Sequence, residues 1–148
     1  MGLLSQQEHS KAYRDNECFW GTTPNQYVRR LPEIIPPPAQ VLDLGVGEGR
    51  NALFLTQLGY SVTGVDICDV AIGKLRRTVP KGLTMKAVVA DITQFEFEGL
   101  YDVIISNAVL QLVDGNEIQG LIERIQQHTK PGGINLLTVF SDTDPARS

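Results

Sequence analysis

From Gln40 to Phe140 the apolar residues follow two alternating periods. Short unbroken runs, "QVLDLG", "SVTGVDI", "LTMKAVVAD", "LYDVIISN" and "INLLTVF", read as five strands buried on both faces. Between them the apolar positions recur at helical spacing. Ala52, Leu53, Leu55 and Leu58 form one such stripe, and Gly59 closes that helix. Asp69 is placed to cap a second helix through about Val79, with Gly73 a weak spot in it. Asp114 is placed to cap a third, running to about Thr129, with Ile118, Leu121, Ile122 and Ile125 on one face and "KPGG" stopping it. Strands that alternate with helices predict an α/β fold, a doubly wound and mainly parallel sheet with helices on both faces.

The first forty residues lack this regularity. "SQQEHSKAYRDNE" predicts a short polar helix from Ser5. Phe19 and Trp20 lead a turn at Gly21; Thr23 and Pro24 then read as an N-cap and first helical position, opening a helix through Leu31 or Ile35. Pro36, Pro37 and Pro38 cannot continue it and predict a stiff extended lead-in to the first strand. The chain therefore divides into an N-terminal helical arm or lid, residues 1–38, and a ligand-binding region, residues 39–148, within one domain.

Composition narrows the partners. The chain has 148 residues, enough to bury a core, and a net charge of -4, which argues against a nucleic-acid partner. No run approaches the roughly 18 apolar residues of a membrane span, and "MGLLSQQEHSK" lacks the basic start and apolar stretch of a signal peptide. These features predict a cytoplasmic protein with no membrane partner. Cys18 and Cys68 lie far apart without metal-type spacing and read as reduced thiols. His9 and His128 are isolated, so no metal site is expected.

"VLDLGVGEGRN", Val41 to Asn51, carries the chemistry. In a doubly wound sheet the ligand binds at the carboxyl ends of the strands, and the loop Gly45–Gly49 falls there. Small residues let a ligand approach the backbone. Asp66, ending strand two, lies about 20 residues on, where an acid can bind a ribose diol. Ile67 beside it is placed to cover an adenine face, and Asp91 and Ile92, ending strand three, address the same crevice. A nicotinamide dinucleotide is the runner-up, but its pyrophosphate wants bare amides and few acids. Asp43 and Glu48 add negative charge, and Arg50 occupies the last glycine position of GxGxxG. S-adenosylmethionine has no phosphate and brings a sulfonium and an ammonium, which suit Asp43. Taken singly, Asp43 and Asp91 also fit helix-capping or turn-forming roles, and Glu48 a helix-start charge.

Together "VLDLGVGEGRN", "VTGVDI", "VVADI", "YDVIISNAVLQLV" and "HTKPGGINLLTVF" resemble the class I S-adenosylmethionine-dependent methyltransferases. "GRNALFLTQLGY" and "LIERIQQHTKPGGINLLTVFSDTDP" resemble the tellurite-resistance methyltransferase group within it. The resemblance covers roughly Pro38 to Pro145 and implies a Rossmann-like sheet of strand order 3-2-1-4-5. It implies that the loop Gly45, Val46, Gly47 and Gly49, with Asn51 just beyond, holds the methionine part. Asp66 would take the ribose hydroxyls, Asp91 with Ile92 the adenine, and Asn107 the boundary between cofactor and acceptor. Val46 departs from the cysteine or smaller residue common in the family. Strands six and seven, which carry acceptor-binding arginine or histidine in that family, are expected to be absent. The apolar fifth strand then becomes a sheet edge, which predicts self-association along it.

The implied reaction is methyl transfer from S-adenosylmethionine, releasing S-adenosylhomocysteine, to a small-molecule acceptor such as a soft anion (tellurite or selenite) or a thiol. Such an acceptor brings its own electron pair, and no general base is evident in the sequence. "AYRDNECFWGTTPN" is a candidate lid, with Phe19 and Trp20 excluding water and Tyr13 or Arg14 meeting an anion; equally, Phe19 and Trp20 would simply pin the arm to the core. Arg50 reads as a structural pair at the helix start. A non-catalytic S-adenosylmethionine-binding domain is the alternative.

Overall fold

A strand flanked by neighbours on both edges and covered on both faces has no polar side, and the central strands here are apolar for that reason. The structure, a computed structural model, describes residues 4–143. Five strands, β1 (Gln40–Leu44), β2 (Ser61–Asp66), β3 (Lys86–Val89), β4 (Tyr101–Asn107) and β5 (Thr129–Thr138), make one parallel sheet in the order β3-β2-β1-β4-β5. This is the expected order. Val41, Leu42 and Leu44 of β1 and Val103, Ile104 and Ile105 of β4 are completely buried.

Successive residues of a strand point to opposite faces, so these apolar runs feed two cores. On one face Val41, Val103 and Ile105 pack with Ala52 and Leu55 of α3 (Arg50–Gln57) and Ile72 and Leu75 of α4 (Asp69–Thr78). On the other, Leu42, Leu44 and Ile104 meet Leu121 and Ile125 of α5 (Gly115–Gln127). Gly59 follows α3 at φ 99, the left-handed conformation that ends a helix without strain in glycine. The arm begins with α1 (Gln6–Asp15), opened by a capping box: Glu8 N donates to Ser5 Oγ at 3.3 Å, and Ser5 N donates to the Glu8 carboxylate at 2.7 Å.

Five local expectations are corrected. No helix opens at Thr23-Pro24. A 3-10 turn at Val28–Arg30 leads into a short helix, α2 (Leu31–Ile34). Asn25 forms the turn that leads into it, its side-chain oxygen accepting from Tyr27 N and its carbonyl from Arg29 N. The prolines bend, with a cis peptide between Pro37 and Pro38, and are not an extended lead-in. Cys68, not Asp69, occupies the cap position of α4, and β3 is shorter than the run 83–91. "KPGG" lies inside β5, because α5 has already ended at Gln127. There the pairing steps from Tyr101↔Thr129 to Val103↔Ile134, so extra β5 residues bulge out. Gly133 belongs to that bulge: a Cβ on it would lie 2.8 Å from the Asp102 carbonyl oxygen.

β5 pairs only with β4, leaving its other edge free among the described residues, with Leu137 and Val139 exposed nearby.

Candidate cofactor site

The carboxyl ends of β1, β2 and β4 converge on the loop between β1 and α3, where β1's two neighbours lead to different sides of the sheet. Gly45, Gly47 and Gly49 there have φ of 78°, 57° and 86°, each in the left-handed region that disfavours a side chain. Close packing reinforces two of them. A Cβ on Gly45 would sit 2.2 Å from a Val109 methyl, and one on Gly49 would sit 2.3 Å from Leu75 Cδ1 in the core.

The loop spends its own amides. Gly45 N and Val46 N donate to the Val65 carbonyl at 2.8 and 3.0 Å, Gly49 N to the Val46 carbonyl at 3.0 Å, and Gly47 N to Asp66 Oδ2 at 2.9 Å. With these four donors consumed, the loop has little left for a pyrophosphate. What it offers is carboxylate. Asp43 is 2% exposed, opens onto the adjoining cavity, and has no hydrogen-bond donor among the described residues. Burial, then the charge of Asp66, pushes its carboxyl up to about 7, against a lowering pull from Arg50. Asp66 is also raised by burial, but the Cys68 and Gly47 amides donate to it and favour its ionised form. A ligand with a cation and hydroxyls, and without phosphate, matches this donor set.

The cavity measures about 1100 Å³. All eleven residues expected to hold the cofactor line it, from Asp43 on β1 to Asn107 on β4. Ile67 is half exposed at its rim and Ile92 is buried in its wall. Asp91 takes the turn-forming part as well, its Oδ1 accepting from Thr93 N and Thr93 Oγ1, both at 2.8 Å.

Tyr13, Phe19 and Trp20 roof the cavity. Trp20 Nε1 donates to the Tyr13 hydroxyl at 3.0 Å, and the Phe19 ring meets those of Tyr13 and Trp20 edge-on at 5.9 and 4.7 Å. Burial pushes the Tyr13 hydroxyl well up, so it stays protonated. Phe19 packs with Tyr13, Cys68 and Ala71 and also lines the cavity. Arg14 does not join them; it is exposed in the last turn of α1, off the cavity lining.

Sequence reasoning missed what holds the roof down. Glu48, read as a helix-start charge, accepts from Phe19 N at 2.8 Å and pairs with Lys74 of α4 at 3.0 Å. Lys74 also donates to the Asn16 and Glu17 carbonyls of the arm. On the far side Asn25 N donates to Asn51 Oδ1 at 2.8 Å and Asn25 Nδ2 to Asn107 Oδ1 at 3.0 Å. No spacing in the sequence links Asn25 to Asn107. Arg50, read as a structural pair at the helix start, instead donates to the Thr23 carbonyl of the arm at 3.4 Å. Among the described residues no group of three or more His, Cys, Asp or Glu side chains could hold a metal ion, and no helix is long and apolar enough to cross a membrane.

Comparison with known proteins meets this geometry from outside. The chain is 37% identical over 108 residues to the probable S-adenosyl-L-methionine-dependent methyltransferase TehB of Haemophilus influenzae strain 10810, an overlap of 72% of this chain and 38% of that protein. It thus spans about two-fifths of that relative's length. The crystal structure of TehB from Haemophilus influenzae superposes with a TM-score of 0.74 at 31% identity, covering 88% of this chain and 45% of that one. The N-methyltransferase NodS from Bradyrhizobium japonicum WM9, solved with S-adenosyl-L-homocysteine, shares the fold at a TM-score of 0.76 and 20% identity, covering 89% of this chain and 71% of that one. The family model described as tellurite resistance protein TehB matches residues 19–147, and the chain belongs to that family.

Proposed function

We propose that the chain binds S-adenosylmethionine in this cavity and supports transfer of its methyl group to a small-molecule acceptor, a soft anion such as tellurite or selenite or a thiol. One observation carries the reading: a glycine loop with four of its amides internally bonded sits beside the buried Asp43 and the half-buried Asp66 at the end of a doubly wound sheet. The bound cofactor supplies a methyl carbon already activated by positive sulfur. The protein's part is alignment and exclusion of water, which in favourable cases contributes about 7–11 kcal/mol.

In this reading the loop from Gly45 to Gly49, with Asn51, cradles the methionine part. Asp66 accepts from the ribose hydroxyls with the lone pairs its two amide bonds leave free. Asp91 and Ile92 border the adenine, with Ile67 on its other side. Asn107, held by Asn25 and Thr138, marks the passage to the acceptor. Tyr13, Phe19 and Trp20 close the cavity, and the arm of residues 1–38 is a lid on the binding region that follows. No general base is assigned, since a soft acceptor attacks with its own electron pair. A cytoplasmic location, and a second copy pairing along the free edge of β5, complete the proposal; a strictly monomeric sedimentation profile at high concentration would remove the latter.

Calorimetric titration with S-adenosylmethionine and S-adenosylhomocysteine, with NADH as control, tests the binding. Saturable binding of the first two alone supports it; NADH binding alone would return the site to a dinucleotide. Turnover assays with tellurite, selenite and small thiols test the transfer. Binding without turnover would leave a cofactor-binding domain.

A further inference from the structure

Asp43 and Asp66 end adjacent parallel strands and face one cavity, yet their surroundings differ. Asp66 is tied by two backbone amides, Gly47 N to one oxygen and Cys68 N to the other, and His9 of α1 adds a favourable charge. Tyr13 of α1, itself protonated, Cys68, Glu48 of the loop, Asp91, and Asp114 and Glu117 at the start of α5 also line the cavity. Asp43 has only Arg50 of α3 in its favour and Asp66 against it, with no hydrogen bond to its carboxyl. A pair arranged this way, with Asp43 buried and Asp66 half-buried, accepts one negative charge readily and a second with difficulty, and the deficit falls on the member without donors.

We propose that Asp43 is the residue by which this site distinguishes cationic from neutral ligands: it keeps a proton while the cavity holds water and releases it when a ligand cation enters. The inference rests on the cofactor reading above. It follows from the exchange of one positive charge for another in a cavity wall that cannot hold the bare carboxylate. With the Asp43 carboxyl titrating at about 7, affinity for a cationic ligand falls roughly tenfold for each pH unit below that value, while affinity for neutral adenosine stays flat.

The test is calorimetry of the intact chain at pH 6 and pH 8, each in two buffers of different ionisation enthalpy, with S-adenosylmethionine and adenosine as probes. At pH 6 the ligand's own amino group, ordinarily titrating at about 7.7–8.0, stays protonated and contributes little. S-adenosylmethionine is expected to expel close to one proton at pH 6, to give no net release at pH 8, where its own amino group takes up protons on binding, and adenosine none at either. In Asp43→Asn the release at pH 6 disappears. A proton count near zero with S-adenosylmethionine at pH 6, an equal count with adenosine, or release that survives in Asp43→Asn would each overturn the proposal. Should Asp43→Asn fail to fold, the wild-type comparison of S-adenosylmethionine with adenosine at pH 6 decides alone. No binding of S-adenosylmethionine at either pH overturns the cofactor reading and this one with it; binding without proton release overturns this one only.

Discussion

Replacing Lys74 by methionine keeps most of the side chain's apolar length and removes only the ammonium. That ammonium has three acceptors: the Glu48 carboxylate at 3.0 Å and the Asn16 and Glu17 carbonyls of the arm. The Lys74 and Glu48 side chains are 18% and 10% exposed, so solvent screens the pair only weakly. Breaking a fully buried pair costs about 3–5 kcal/mol, and a single hydrogen bond to a charged group contributes about 1.5–3 kcal/mol. Given the residual exposure, Lys74→Met should cost about 2–4 kcal/mol. Glu48→Gln should cost less, because an amide oxygen can still accept from Phe19 N. Urea unfolding of the wild type, both single variants and the double variant gives the coupling energy, expected at about 1–3 kcal/mol. Limited proteolysis between residues 16 and 25 supplies the local readout, since an unlatched arm should be cut well before the sheet domain. Coupling below about 0.5 kcal/mol, or an arm equally resistant in Lys74→Met, would refute the view that this pair latches the roof.

Three further outcomes follow from the same geometry. Gly45→Ala should destabilise by about 2–5 kcal/mol, adding left-handed strain to the Val109 clash, whereas Gly47→Ala should cost about 1–2 kcal/mol because its Cβ meets only the Tyr13 hydroxyl, at 3.1 Å; thermal unfolding that ranks them the other way contradicts the loop geometry. Asp66→Ala should weaken S-adenosylmethionine binding about 10–150-fold, the equivalent of about 1.5–3 kcal/mol, and calorimetry showing unchanged affinity would remove Asp66 from the site. Because folding raises the Asp43 carboxyl from 3.8 to about 7, the folded state holds the extra proton between those values, and its stability falls as pH rises through that window. Asp43→Asn should escape this loss, gaining up to about 4 kcal/mol over the wild type at pH 8 and almost nothing near pH 4; equal gains at both pH values would show that the group is not perturbed.

What could be read from the sequence was whatever lies close along the chain. The five strands, their parallel alternation and the glycine loop are local patterns, and all appear in the structure. So does the convergence of Asp43, Asp66 and Asp91, since each lies at or just past the carboxyl end of a strand of one sheet. Errors came where a tertiary contact outbid a local signal. Thr23-Pro24 carries a good helix-start pattern, but Asn25 is drawn down to Asn51 and Asn107, and the turn begins there instead. "KPGG" reads as a helix stop, yet the β4 ladder recruits it as a bulge. Arg14 was grouped with Tyr13 by adjacency, but neighbouring helical positions point about 100° apart, so burying Tyr13 turns Arg14 outward. The Glu48–Lys74 latch spans 26 residues and two elements, and no periodicity announces it.

The strand order also sets a timetable. β1 lies between β2, which follows it closely, and β4, whose Asp102 accepts from Gln40 N across 62 residues of chain. Asn25 waits longer still, 82 residues, for Asn107. A nascent chain that has not reached Tyr101 therefore has one edge of β1 unpaired, no Val109 against Gly45 and no Asn107 partner for Asn25. Ligand cannot rescue such a chain early, because the pocket that would capture it does not yet exist. Until β4 arrives, protection of this apolar strand falls to whatever receives the chain as it leaves the ribosome.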